Sequence, residues 1–364
     1  MNYLKSSFIL IFLSFIVIDV NAQEAQNNTQ NRINKTIDSL IQKTIQINNI
    51  PAISIGLIQD GQIINQKGYG STKRKQGVKV DENTVYQIAS LSKMFTSIIA
   101  RSLIVENKLD LNKSISFYLQ DKIDSKTKKK LANIMVRDIF LHRSGIPRNS
   151  KTYKRIDGEP MLSEYSETHL LGDLKKIKIR KNGKFKYSNL GYGILGYILE
   201  SASGMSYEDL LNQYIIQEFN LDNTSNTAQL NTATPYRKDK RNIETKAWNT
   251  GKMTPASGIY SSASDLLKMM VKHIAVYSSN SIDLDNSPLN LTNAKDIKND
   301  NNNLYGMGLF KRGSVYGHGG DMDGFASQYW FNSSKGTGVV LLTSSGGSWL
   351  NELVGELSKV IEEN

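Results

Sequence analysis

Apolar positions along this chain alternate between two periods. In TIDSLIQKTIQIN (36–48) they recur three and four residues apart, the spacing of a helix with one buried face. PAISIGLIQDGQIINQKGYG follows, with two β-rich runs flanking Asp60-Gly61, a dipeptide suited to a tight hairpin turn. Helical spacing returns from about residue 90, where Leu91, Met94, Phe95, Ile98, Ile99 and Leu103 share one face. Between 108 and 250 alternating β-branched runs are scarce, so helices and loops are expected. RDIFLHRSGIP (137–147) reads as a helix end and a Gly and Pro turn, and SNLGYGILGYILESASG (188–204) as an apolar helix closed by glycine. SYEDLLNQYIIQEFN (206–220) is amphipathic, and SASDLLKMMVKHI (262–274) opens on a capping pattern, Ser262 to Asp265. Three short β runs come late, YGMGLF, ASQYWF and GVVLLTS, before a terminal helix in SWLNELVGELSKVIEEN. Strands at both ends with helices between predict an α/β fold of the α+β kind. One antiparallel sheet forms from about 45–90 and 250–364, flanked by helices, with a mostly helical region at about 91–249 inserted.

Some segments stand outside this pattern. Residues 1–22 carry a lysine in MNYLK, an apolar run FILIFLSFIVI and a small residue at the end of VNA. They read as a secretory signal peptide cleaved after Ala22, the run being short for a membrane span. QEAQNNTQNRI (23–33) reads as disordered or as the lead-in to a helix. Residues 278–303, rich in Asn, Ser and Asp, read as a flexible excursion. No internal repeat is present.

Composition narrows the function. The 364 residues, 39% hydrophobic and 22% charged, suit a globular chain with a sizeable core. With no cysteine, the chain has no disulfide, no thiol catalysis and no lipid anchor on cysteine. An exported protein of this kind fits a periplasmic location. The net charge of +11 concentrates in KIDSKTKKK (122–130), KKIKIRKNGKFK (175–186) and RKDKR (237–241). Such runs are usually solvated faces, and they could also hold the protein to an anionic cell wall. No nucleic-acid partner is expected, because an exported chain without a recognisable binding motif gives no reason for one. The four histidines, His142, His169, His273 and His318, lack metal-ligand spacing, and no phosphate-cradling glycine motif occurs. Neither cofactor nor metal is expected.

The candidate chemistry starts at Ser90. Ser90 and Lys93 lie one helical turn apart and can touch. A serine hydroxyl is a weak nucleophile until a base takes its proton. Lysine can be that base only if its pKa falls, and burial and the positive end of a helix both push it down. The same helix end offers backbone N–H groups to an oxyanion. The spacing alone is also that of an ordinary helix start with serine as cap. It recurs at Ser125 and Lys128, in a polar run where a buried base is implausible.

Two further stretches add to it. KFKYSNLGYG sets Tyr187 and Asn189 at the start of an apolar helix. A tyrosine pressed against lysines has a depressed pKa and can shuttle protons, and an asparagine can hold a substrate amide. YGHGGDMDGF sets His318, Gly319 and Gly320 just before a β run. The glycines allow close backbone approach to a ligand, and the histidine can bind a substrate carboxylate or orient a neighbour.

Taken in this order, the three motifs resemble the serine β-lactamase and penicillin-binding-protein superfamily, in the branch of class C β-lactamases, DD-peptidases, D-aminopeptidases and related esterases. ISIGLIQDGQIINQKGYG, MVRDIFLHRSGIP and PASGIYSSASDLLKMM are similar to it as well, so the likeness runs from roughly 35 to 360. It implies a β-lactamase/transpeptidase-like fold for residues 23–364, with the active site where sheet and helical region meet. It also implies roles. Ser90 would form an acyl-enzyme, Lys93 and Tyr187 would share the proton transfers, and Asn189 would bind the acyl-side amide. The backbone N–H groups of Ser90 and Asp321 would form the oxyanion hole. His318 stands where many relatives have lysine. A histidine of ordinary pKa is mostly neutral at pH 7, unlike the permanent cation that suits a substrate carboxylate.

The resemblance thus implies a serine hydrolase acting on a small-molecule or peptide substrate with an amide or ester bond, peptidase- or esterase-like. A true β-lactamase and a non-hydrolysing penicillin-binding or sensor protein remain alternatives. The chain has no Gly-x-Ser-x-Gly elbow, which speaks against an α/β-hydrolase.

Overall fold

The computed structural model describes residues 28–154, 164–180, 183–237, 243–278, 287, 289, 297–298 and 304–363. The signal-peptide segment and most of the Asn-rich 278–303 stretch lie outside them. Among the described residues no helix is long and apolar enough to cross a membrane.

An antiparallel sheet organises the chain. Among the described residues its eight strands run, in spatial order, Gln62–Gly70, Ala52–Gln59, Thr337–Thr343, Phe325–Asn332, Val315–Met322, Phe310–Arg312, Leu304–Tyr305 and Ile297–Lys298. The opening hairpin therefore pairs with the last strand, Ile55 opposite Leu341, so the two chain ends close one sheet. Asp60 and Gly61 make the tight turn with φ of 51° and 73°, the positive values that favour Asp-Gly in a two-residue hairpin loop.

Alternation along Ala52–Gln59 sorts the two faces. Ile53, Ile55 and Leu57 pack under two helices, residues 28–48 and Trp349–Glu362, through Ile33, Ile37, Ile41, Leu353 and Leu357. On the other face Gly56 lies against the helix Ala263–Ser278, where a Cβ would come within 2.4 Å of the Leu267 side chain. This second face joins the main core, which continues through the inserted helical region.

The opening helix starts earlier than its apolar period suggests, residues 28–35 already being helical. A second correction concerns Ser90. A helix was expected from about that residue, but Ala89–Leu91 form a 3₁₀ turn and the α-helix runs Ser92–Val105. Nor is this helix buried on one face alone. Every residue from Ser92 to Leu103 is buried, Lys93 and Arg101 included. The helix Asn189–Ser203, the turn Thr254–Ser257 and the run Tyr207–Gln217 enclose it together. The amphipathic run 206–220 also differs, passing from an α-helix at Tyr207–Leu211 into a π-helical stretch at Asn212–Gln217.

His318, Gly319 and Gly320 sit within the strand Val315–Met322 rather than ahead of one. Its glycines weaken the β signal in the sequence. Their use is proximity. A Cβ on Gly320 would lie 2.2 Å from the Ile88 carbonyl and 3.0 Å from the Ala89 Cβ, so this strand packs directly on the turn that carries Ser90.

Candidate active site

The turn that presents Ser90 is locally strained. Ala89 holds φ of +50°, which an alanine adopts at a cost of about 1–2 kcal/mol. Ser327 Oγ donates to the Ile88 carbonyl at 2.7 Å, and the Ile88 N–H donates to the Ile259 carbonyl at 2.9 Å, so neighbouring elements hold the turn. Ser90 itself is half-buried, open enough to meet a substrate.

Lys93 is wholly buried, its ammonium nitrogen 3.2 Å from Ser90 Oγ, 2.9 Å from Asn189 Oδ1 and 2.7 Å from the Ala256 carbonyl oxygen. None of these partners is a carboxylate. Burial, and then the positive charge of Arg148, push the Lys93 pKa well below the usual lysine value. A neutral amine has two N–H donors and one lone pair. Asn189 Oδ1 and the Ala256 carbonyl accept from the two N–H groups, because neither oxygen can donate. In the neutral form the lone pair would be left facing the Ser90 hydroxyl, the arrangement a general base requires.

The second motif is built by its caps. Ser188 Oγ accepts from the Gly191 N–H at 2.9 Å and donates to the Pro147 carbonyl at 2.7 Å, starting the helix Asn189–Ser203. Gly204 closes that helix in the left-handed conformation, φ +74°. The Asn189 and Leu190 N–H groups donate to the Arg148 carbonyl at 2.7 and 3.2 Å, tying this helix to the Ile146-Pro147 turn. Asn189 Nδ2 donates to Asn149 Oδ1 at 2.8 Å. Its amide is thus held between Lys93 and Asn149, positioned at the site but already bonded on both sides.

Tyr187 corrects an expectation. Its ring lies beside Lys93, 4.9 Å from the ammonium nitrogen to the ring centroid, yet its pKa is raised rather than depressed. Burial is the main cause; Ser90 and Arg148 offset only part of it. Tyr187 therefore stands as a protonated phenol.

His318 is buried and its pKa falls to about 3, chiefly through burial and then through Lys93. Its Nδ1 lies 2.6 Å from the Gly319 carbonyl, which can only accept, so the proton belongs on Nδ1. Nε2 is then an acceptor, and the Tyr187 hydroxyl, 3.3 Å away, donates to it. A neutral histidine with both nitrogens committed orients Tyr187 and does not present a cation to a substrate. Asp321 follows on the same strand, paired opposite Ala326.

Other residues join the site without having been marked in the sequence. His142 packs against Tyr187, Tyr192 and Tyr305 at ring distances of 4.3, 5.2 and 4.8 Å, and its Nδ1 accepts from the Ser188 N–H at 3.1 Å. Arg148 and Asn149 are exposed at the rim, directly after the Gly145–Pro147 turn, and no residue-type pattern distinguishes them there. Among the described residues no group of three or more His, Cys, Asp or Glu could hold a metal ion. A cavity of about 590 Å³ shares Thr254 and Pro255 with the turn that carries the Ala256 carbonyl. Its lining contains none of Ser90, Lys93, Tyr187 or His318, so the reacting groups sit outside it.

An antiparallel sheet flanked by helices, with a Ser-x-x-Lys turn packed against its glycine strand, defines the β-lactamase/transpeptidase class of fold. Two among many solved structures that share it show the likeness. One is a class C beta-lactamase, TM-score 0.77 at 21% identity, covering 92% of this chain and 98% of that one. The other is the octameric penicillin-binding protein homologue from Pyrococcus abyssi, TM-score 0.77 at 22% identity, covering 90% and 77%. Residues 37–354 match the Beta-lactamase family model, and the chain belongs to the beta-lactamase family, whose members are serine hydrolases. Protein flp of Staphylococcus aureus strain MRSA252 is 25% identical over 340 residues, covering 89% of this chain. The match spans 66% of that relative's own length. A putative D-alanyl-D-alanine carboxypeptidase of Salmonella typhimurium is 29% identical over 206 residues, 52% of this chain and 46% of that protein.

Proposed function

We propose that this protein is an exported serine hydrolase that cleaves an amide or ester through an acyl-enzyme on Ser90. The observation that carries the reading is the fully buried Lys93, 3.2 Å from Ser90 Oγ and without an acidic partner at its nitrogen. In this mechanism the Ser90 proton passes to the Lys93 lone pair as Oγ attacks the carbonyl carbon. The oxyanion meets the backbone N–H groups of Ser90 and Asp321. As the tetrahedral intermediate collapses, Tyr187 gives its proton to the leaving nitrogen or oxygen and is reprotonated from Lys93. Water then follows the reverse path, giving its proton to Lys93 and releasing the acid from Ser90. Asn189 fixes the acyl-side amide, exchanging its Asn149 contact for the substrate, and Gly319 and Gly320 let the substrate approach the strand.

Peptidase- or esterase-like turnover is favoured over efficient β-lactam hydrolysis, because His318 is neutral where a permanent cation would suit the lactam carboxylate. The putative carboxypeptidase among the relatives points the same way. Intact mass, followed over time with a penicillin and with a simple phenyl ester, tests the reading against Ser90→Ala. An adduct on the native chain alone supports it. A persistent penicillin adduct marks peptidase-like behaviour, and rapid clearance marks a β-lactamase. No adduct and no ester hydrolysis by the native chain contradict the acyl-enzyme and favour a binding protein. Export is part of the proposal, and a mature N-terminus at Gln23 in the periplasmic fraction checks it. Retention on the cell wall through the basic runs would be lost in high salt.

A further inference from the structure

The site holds a histidine with both nitrogens committed at the strand and carries a cation at its rim. Lys93 is enclosed and bonded on three sides, and His318 has both nitrogens committed. Neither can meet a substrate anion. Arg148 can. It is exposed, and its guanidinium carbon lies 5.0 Å from the centroid of the Tyr187 ring, the ring that the Lys93 nitrogen approaches at 4.9 Å.

Its backbone is fixed relative to the reacting groups. The Arg148 carbonyl accepts from the N–H groups of Asn189 and Leu190, Pro147 precedes it, and Asn149 after it holds the Asn189 amide. The side chain is not similarly tied down. The ion pairs of the described residues, such as Arg143 with Asp138 and Lys252 with Glu200, do not include Arg148. A guanidinium is permanently charged, and its planar fork matches a carboxylate bidentately, which a neutral imidazole cannot do.

We infer that Arg148 is the anion-binding residue of this site, and that the substrate carries a carboxylate reaching the rim beside Tyr187. The inference rests on the reading of the site as that of a hydrolase and adds the charge class of its substrate. It has a second consequence. Arg148 repels a proton on Lys93. A carboxylate bound at Arg148 offsets that repulsion and makes Lys93 a stronger base when substrate is present.

The test uses the full chain with Ser90→Ala, so that no acylation intervenes, and stable anilides as probes. N-acetylglycine anilide is neutral. Its 3-carboxyanilide carries the anion on the leaving half, and N-succinylglycine anilide carries it on the acyl half. Calorimetric titration is expected to show one of the two anionic probes binding about tenfold more tightly than the neutral one, the worth of one charge-assisted contact. Adding Arg148→Gln erases that preference and Arg148→Lys restores part of it. Which anionic probe wins tells which half of the substrate bears the charge. The inference is overturned if neither anion is preferred, or if the preference survives Arg148→Gln in a variant whose melting temperature is unchanged. Because the readout is binding to a protein without its nucleophile, failure of the native chain to hydrolyse esters is a separate result.

Discussion

The chain contains Ser-x-x-Lys twice, and the two copies differ in everything except spacing. Ser90–Lys93 lies where a 3₁₀ turn passes into a helix enclosed on all sides, with the lysine at zero exposure. Ser125–Lys128 opens the short helix Ser125–Leu131, capped by Asp124, whose carboxylate accepts from the Thr127 N–H at 2.8 Å. Both Ser125 and Lys128 are exposed. One-turn spacing makes contact possible in either place, but only burial turns a lysine into a base. The comparison separates what a motif supplies, adjacency, from what the fold supplies, a shifted proton affinity.

Removing the nucleophiles gives the largest contrast. Ser90→Ala is expected to lower ester hydrolysis by at least about 10³-fold, whereas Ser125→Ala leaves it within about twofold, as steady-state kinetics would read. Lys93→Met comes next, costing about 10³-fold in kcat/KM while Lys128→Met changes little. The same pair differs in stability. In the folded chain Lys93 has a lowered pKa, so between that value and the unfolded value near 10.5 the unfolded state binds the extra proton. The folded state therefore gains stability as pH rises through this window. Denaturant titrations should show a slope of about 1.4 kcal/mol per pH unit that Lys93→Met removes.

Tyr187→Phe should cost about 10²-fold, and His318→Phe about tenfold, since His318 acts by holding the Tyr187 hydroxyl. Both should fall mainly on kcat. If Tyr187→Phe kept full turnover, proton transfer would belong to Lys93 alone. A separate contrast lies in acid stability. His142, His273 and His318 are buried with lowered pKa values, about 3 for the last two. Their unfolded forms gain protons below about pH 6.5, so the stability they confer is complete above that pH. For His273 and His318 it is lost as pH falls toward their folded values of about 3, by about 1.4 kcal/mol per unit each. His273→Phe should reduce this acid slope without altering activity, because it packs on Tyr329 and Phe331, away from Ser90.

The sheet that joins both chain ends was legible because turns and caps are local. Asp60-Gly61, Ser188 and Gly204 each do what their chemistry favours at their position. Ser262 was read as a cap, and its oxygen does accept from the Asp265 N–H at 3.2 Å. The Asp265 carboxylate instead accepts from Asn223 and Thr224, a long-range contact the helix pattern does not encode. Ser90, Lys93, Tyr187, Asn189 and His318 were legible as three motifs, and the fold brings them together. Their protonation was not. The sense of the Tyr187 shift is set by burial, which elements far away in sequence contribute. The His318 strand was blurred by the glycines that let it approach Ser90. Arg148 was invisible because an exposed arginine after a proline turn has no signature until the Tyr187 ring is seen beside it.

Titration of Lys93 itself tests most directly whether burial makes it the base for Ser90. Lysine side-chain carbons can be followed by NMR across pH 5 to 11 in the native chain, with the Lys93 signal identified by its loss in Lys93→Met. The expected midpoint lies well below the ordinary lysine value, with the amine neutral where the enzyme works. A midpoint at about 10.4, the ordinary value, would contradict it, leaving Ser90 without its base.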